Sequence, residues 1–178
     1  MYKLRELERK DLVEINLWRN NPELIELLGA PFRFINLEVD VAWFDDYMKN
    51  RNKNLRCSIV SDDIEEKLLG VISLTSIDFL NQSAELHIMI GDKNNYGRGI
   101  GTFALMQMLR HAFFNMNLQR IELSVLAENK RAQNLYKKIG FVHEGTKRNA
   151  RYKNGSFVDL YCYSILREEF VEYSKNNL

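Results

Sequence analysis

Apolar side chains recur at every second position along several short runs of this chain, the spacing of half-buried strands. Tyr2 to Leu7, Leu55 to Ser61, Leu68 to Phe79, Ser83 to Ile90 and Arg120 to Val125 all read this way. Phe141 to Arg151 and Phe157 to Leu166 read as a closing hairpin over Lys153-Asn154-Gly155, whose Asn-Gly pair favours a two-residue turn. Helical segments lie between them. Asp11 is placed to cap a helix running to about Asn20, Pro22 suits the first turn of a short second one, and Asn36 caps a third to about Arg51. Phe103 to Phe114 is long and free of Gly and Pro, and Asn129 to Ile139 ends at Gly140, a C-cap residue. Gly29-Ala30-Pro31 breaks the pattern, Asp62 to Glu66 is an acidic turn, and Arg167 to Leu178 is a charged tail. Strands and helices interleave, which predicts a mixed α/β chain.

The stretch Asn95-Tyr96-Gly97-Arg98-Gly99-Ile100-Gly101-Thr102 sits between the Ala84–Ile90 strand and the Phe103–Phe114 helix. Glycines at alternate positions allow positive φ and close approach of a ligand to the backbone. The first amides of the following helix lack intrahelical partners and carry the positive end of its dipole, so the loop suits a phosphate or pyrophosphate, or is a plain turn. Two familiar phosphate loops do not match. Gly101 is followed by Thr102-Phe103 where a Walker loop needs Lys-Ser or Lys-Thr, and the glycines give G-x-G-x-G where a dinucleotide loop needs G-x-G-x-x-G.

The stretch instead resembles the acyl-CoA pyrophosphate loop, Q/R-x-x-G-x-G/A, of the GNAT (GCN5-related N-acetyltransferase) superfamily. Gly99 and Gly101 match its last two positions, and Tyr96 stands where Gln or Arg is usual. Glu128 to Phe141 matches the same family's N-x-x-A-x-x-x-Y-x-K-x-G-F segment through Asn129, Ala132, Tyr136, Lys138, Gly140 and Phe141. The motifs cover about Leu69 to Phe141, and the order of elements extends the likeness over nearly the whole chain. The resemblance implies a twisted, mostly antiparallel sheet flanked by helices and splayed between two central parallel strands, Ser83–Ile90 and Arg120–Val125. It also implies acetyl-CoA as co-substrate, bound in that V, and direct transfer of its acetyl group to a primary amine.

The site residues follow from both lines. The resemblance assigns carbonyl polarisation to backbone amides at Ile88, Met89 and Ile90, and cofactor binding to the loop, Tyr96 through Thr102. Arg98 meets phosphate or is solvated charge. Tyr136 belongs to an apolar stripe with Ala132, Leu135 and Ile139, so spacing makes it a core residue, while the resemblance makes it the general acid that protonates the leaving thiolate. Asn129 is a helix N-cap from its position and a cofactor contact by resemblance; Asn134 is a weaker cofactor candidate or solvated surface. Glu85 is either the base or a salt-bridged strand residue, and His87, on its face, relays a proton or is structural. His111 and His143 have no matched partner and read as structural.

With 25 Lys plus Arg, 24 Asp plus Glu and a net charge of +1, nothing draws the chain to nucleic acid or an anionic membrane. At 178 residues and 46% hydrophobic it forms one domain, residues 1–178, with a sizeable core. Cys57 and Cys162 match no metal or redox spacing, Met1-Tyr2-Lys3-Leu4-Arg5 is no signal peptide, and no apolar run spans a membrane, so the expectation is a cytoplasmic, metal-free monomer or homodimer. Neither motif has a nucleophile beside it, which argues against an acetyl-enzyme.

Trp18-Arg19-Asn20-Asn21-Pro22, Phe32-Arg33 and Trp43-Phe44 resemble the subgroup of ribosomal-protein N-terminal acetyltransferases, which makes a protein or peptide N-terminus the first expectation for the acceptor. The same pattern occurs in acetyltransferases of spermidine and of nucleotide-linked amino sugars. A polyamine site needs clustered carboxylates, for which Glu23, Glu26, Asp45 and Asp46 are candidates or simply a solvated face; a nucleotide-sugar site needs basic and aromatic residues, for which Arg19, Arg33, Trp18 and Trp43 are candidates, the aromatics being core otherwise. An acyl-CoA-binding module without turnover is the non-enzymatic alternative.

Overall fold

A computed structural model describes residues 1–177. Seven strands form one sheet: β1 (Tyr2–Glu6), β2 (Leu55–Ser61), β3 (Leu68–Asp78), β4 (Ser83–Ile90), β5 (Arg120–Leu126), β6 (Val142–Lys153) and β7 (Ser156–Leu166). Their spatial order is β1-β2-β3-β4-β5-β7-β6, and every neighbouring pair is antiparallel except β4 and β5. That parallel pair registers over Ser83–Arg120, Ala84–Ile121 and Glu85–Glu122 and then separates. β4 continues to Ile90 alongside β3, and β5 to Leu126 alongside β7, so a wedge opens between them.

The period of two sorts the strand residues onto two packed faces. Ile59, Ile72, Leu74, Leu86, Ile121 and Leu123 join Ala104, Leu105, Met108 and Leu109 of helix α4 (Ile100–Phe114) in the larger core. The opposite face of β3 and β4, through Val71 and Met89, meets a second core of Leu12, Ile15 and Trp18 from α1 (Leu12–Arg19) with Phe44 and Tyr47 from α3 (Leu37–Lys49). Between those helices lies α2 (Pro22–Glu26), whose Asn21 cap accepts from the Glu23 and Leu24 amides. Helix α5 (Lys130–Ile139) follows β5, and Gly140 closes it with φ of 102°. The β6–β7 turn has Asn154 at φ 49° and Gly155 at φ 85°, the left-handed pair that an Asn-Gly hairpin turn requires.

Two expectations are corrected. Asp11 immediately precedes α1 but makes no cap bond to it. Its buried carboxylate instead accepts both Arg5 guanidinium nitrogens at 2.7 Å, the Ser58 hydroxyl at 2.7 Å and the Glu8 amide at 3.0 Å. A charge inside the protein takes the partners that offset its desolvation, and one capping amide does not suffice. The supposed charged tail is helix α6 (Arg167–Asn177), with Leu178 outside the described residues. Phe170 is its buried anchor, with its ring centroid 5.4 Å from that of Phe113. One apolar anchor among charges is too faint a periodic signal to read from sequence.

Burial raises the Asp11 carboxyl, but the bonds from Arg5, Ser58 and the Glu8 amide outweigh it and hold the group below its ordinary value. Its stabilisation is therefore complete above the ordinary Asp value, about 3.9, and is lost as pH falls through the lower folded value. Removing this partner from a largely buried arginine, as in Asp11→Ala, is expected to cost about 3 kcal/mol in urea unfolding at pH 7. The deficit should shrink as the pH is lowered below 3.9.

Candidate active site

A cavity of about 1060 Å³ occupies the wedge between β4 and β5. Past Glu85, β4 has no β5 neighbour, so alternate residues of Leu86–Ile90 present N–H and C=O groups toward the opening. Ile88, Met89 and Ile90 all line it, as do Tyr96, Gly97, Gly99, Ile100, Gly101 and Thr102. Gly97 and Gly99 have φ of 76° and 82°, and a Cβ at either would meet nothing within 4 Å. They serve conformation. Gly101 is where α4 passes close to α5, since a Cβ there would lie 2.9 Å from Leu135 Cδ2 and turn that side-chain end aside. The orphan amides of α4 begin at Ile100, in the cavity wall.

Arg98 is not in that wall. It is exposed on the loop, and its carbonyl accepts the Tyr2 hydroxyl at 3.1 Å. The cation brought to the loop is Arg131, whose guanidinium lies 3.3 Å from the Tyr96 ring centroid. Tyr96, in place of the usual Gln or Arg, thus acts as the platform for a charge from α5. Asn129 Oδ1 accepts the Ala132 amide at 3.1 Å, so the capping assignment stands, while Nδ2 donates to the Leu27 carbonyl at 3.0 Å and ties α5 to the end of α2. Asn134 is exposed and lies outside the cavity wall.

Tyr136 is a core residue that also reaches the cavity. It is 7% exposed and packed beside Phe141 and Tyr163, at centroid distances of 5.7 and 6.3 Å, yet it also lines the cavity. Burial pushes its phenol up to about 12, against a smaller opposing pull from Arg131. Its hydroxyl has no hydrogen-bond partner among the described residues and so is available to a ligand.

Glu85 and His87 lie in the same cavity wall, with His87 Nε2 3.7 Å from Glu85 Oε2 and 2.9 Å from Thr75 Oγ1. Burial pushes the imidazole below its ordinary pKa; Glu85 opposes this and Arg56 reinforces it. The ring is therefore neutral at pH 7 and able to take a proton.

The acidic cluster does not assemble. Glu23 pairs with Lys93 at 2.7 Å, Glu26 accepts from Asn154 at 2.9 Å, Asp45 pairs with Arg9, and Asp46 accepts from Asn50 at 3.0 Å. Among the described residues Glu85 is the one carboxylate in the cavity wall. Arg19 and Trp43 line the cavity, whereas Arg33 is exposed outside it and Trp18 is core, 7% exposed, its indole N–H donating to Glu14 at 3.0 Å. His111 and His143 lie away from the cavity, the latter between the rings of Tyr161 and Tyr163. Sequence reasoning missed Lys153, whose ammonium donates to the Ile25, Leu28 and Ala30 carbonyls at 2.8, 3.0 and 2.8 Å and straps the hairpin across the end of α2. It also missed Arg56, although a charge on the inward face of an alternating strand was the signal. Among the described residues no three His, Cys, Asp or Glu side chains are grouped to hold a metal, and no helix is long and apolar enough to cross a membrane.

Residues 2–142 match the model of the acetyltransferase (GNAT) domain. The chain belongs to the GNAT acetyltransferase family. Spermidine N(1)-acetyltransferase of Vibrio cholerae is 30% identical over 174 residues, 97% of this chain and 96% of that one. The ribosomal-protein-serine acetyltransferase of Escherichia coli is 29% identical over 100 residues, 56% and 55% of the two chains. The crystal structure of the V. cholerae spermidine enzyme in complex with CoA and spermine superimposes with a TM-score of 0.87 at 27% identity, covering 96% of this GNAT chain and 98% of that one.

The His87 ring in this acetyltransferase should titrate below 6.5 when followed by NMR. Glu85→Gln removes the carboxylate that favours the imidazolium, so its midpoint should fall further. A midpoint that rises in this variant would contradict the geometry.

Proposed function

We propose that the chain transfers the acetyl group of acetyl-CoA directly to a primary amine. The supporting observation is that one cavity holds a glycine-rich helix start on one flank, an unpartnered phenol at its centre and a Glu85–His87 pair on β4. The loop from Tyr96 to Thr102 and the first amides of α4 hold the pyrophosphate, with Arg131 adding positive charge. Glu85 and His87 take the proton that an ammonium acceptor loses before its nitrogen attacks the thioester carbon. Unpaired N–H groups between Ile88 and Ile90 hydrogen-bond the oxyanion. When the carbon–sulfur bond breaks, Tyr136 donates its hydroxyl hydrogen to the departing sulfur, having stayed protonated throughout the working pH range.

For the acceptor, the relatives favour a polyamine over a protein N-terminus, because the spermidine enzyme matches over nearly the whole chain and the ribosomal-protein enzyme over little more than half. The single wall carboxylate weighs against a polyamine, since no second one stands ready for its other ammonium groups.

Calorimetry with acetyl-CoA, then thiol release over a panel of amines, tests the reading, and absence of acetyl-CoA binding would sink it. Tyr136→Phe keeps the ring packing and is expected to lower kcat by about 100-fold with acetyl-CoA affinity unchanged. Gly99→Ala forces a side chain into a left-handed position at about 1–2 kcal/mol and should weaken acetyl-CoA binding roughly tenfold.

A further inference from the structure

The cations of the cavity wall do not all stand beside the glycine loop. Arg19, Arg56, Arg131, Lys138 and Arg151 face Glu85 alone. Arg131 and Lys138 belong to α5, on the cofactor flank, and the charge of Arg19 is answered by the buried Asp40. Arg56 is different. It lies on β2, two strands from β4 and on the other side of β4 from β5.

Register places it with the reacting groups. Arg56 pairs with Ser73 of β3, and Ser73 pairs with His87 of β4, so the three stand in one row across adjacent strands. Two strand spacings, about 10 Å, separate the backbones of Arg56 and His87. The guanidinium rests against the rings of Trp43 and Tyr47, 4.7 and 5.7 Å from their centroids, which fixes its direction but not its charge. No carboxylate pairs with it among the described residues, and its Nε is buried without a hydrogen-bond partner. Glu6, which Tyr47 holds at 2.8 Å, is itself paired with Arg51 at 2.6 Å. The side chain is half-buried with its Nε unbonded, and an arginine keeps its charge there, so an incoming anion would supply the partner that the protein does not.

Building on the acetyltransferase reading, we propose that Arg56 is the acceptor's anion subsite. The substrate then carries a carboxylate or phosphate in addition to the amine held at Glu85 and His87. Such a site selects against a polyamine, which brings only positive charge to Arg56.

Thiol release is measured with paired acceptors: glucosamine 6-phosphate against glucosamine, and the dipeptide Ala-Glu against its fully amidated form, with spermidine alongside. The expected result is a preference of tenfold or more in kcat/KM for the charged member of at least one pair, the favoured pair identifying the anion. Arg56→Gln should abolish that preference through KM while acetyl-CoA affinity is unchanged, and Arg56→Lys should restore part of it. Independently of turnover, the Arg56 Nε–H resonance of the wild-type protein should move on titration with inorganic phosphate or acetate. Equal or better turnover of spermidine, a preference that survives Arg56→Gln, or a resonance that neither anion moves would overturn the proposal. Loss of all thiol release with the resonance still responding would count against the acetyltransferase reading and leave the anion subsite standing.

Discussion

A strand that loses its neighbour halfway along leaves a row of N–H and C=O groups unpaired, and the molecule is arranged around that deficit. β4 has β3 on one side throughout and β5 on the other only as far as Glu85. Elsewhere in the sheet, neighbouring strands stay paired over most of their length, and the two packed cores hold them there. The opening is therefore held by its surroundings. Gln133 donates to the Leu126 and Ala127 carbonyls at 3.1 and 2.9 Å, which secures α5 against the end of β5 on the far bank. The unpaired polar edge, the helix start and the buried phenol then share one space that water or a ligand must fill.

The same wedge divides its chemistry by flank. On the α5 side the wall is made of positive-φ glycines, orphan amides and a guanidinium stacked on Tyr96. On the β2–β4 side, side chains from three adjacent strands form the wall, so their spacing follows from sheet register. The N-terminal helices and the β6–β7 hairpin close that side, joined by the three carbonyl bonds of Lys153, while the Asn129 bond to Leu27 ties α2 to α5. Elements distant in the chain thereby set the dimensions of that side of the cavity.

Local information accounts for what could be read in advance. The glycine loop, the Asn36 and Asn129 caps, the Pro22 helix start, the Gly140 stop and the Asn154-Gly155 turn each depend on a few neighbouring residues, and all take their expected form. Strand boundaries fell within a residue or two for the same reason. Misreadings arose where a distant partner outbid a local one. Asp11 looked like a cap and became the centre of a buried ion pair. The Glu23, Glu26, Asp45 and Asp46 carboxylates looked like a cluster and were dispersed to separate partners.

The amino-acid sequence by itself determined the order of strands and helices and the form of the glycine loop, because alternation, capping and left-handed glycines act over a few residues, while the resemblance of two motifs gave the family. It also singled out Tyr136, through a motif on one helix. Only the tertiary structure decided that Arg98 points away while Arg131 arrives, that Asn134 stays outside, and that Arg56 stands in a row with His87. Which charges meet inside a cavity depends on strand register and on loops closing over one another. Those relations are set by packing between residues far apart in the chain, and no local pattern encodes them.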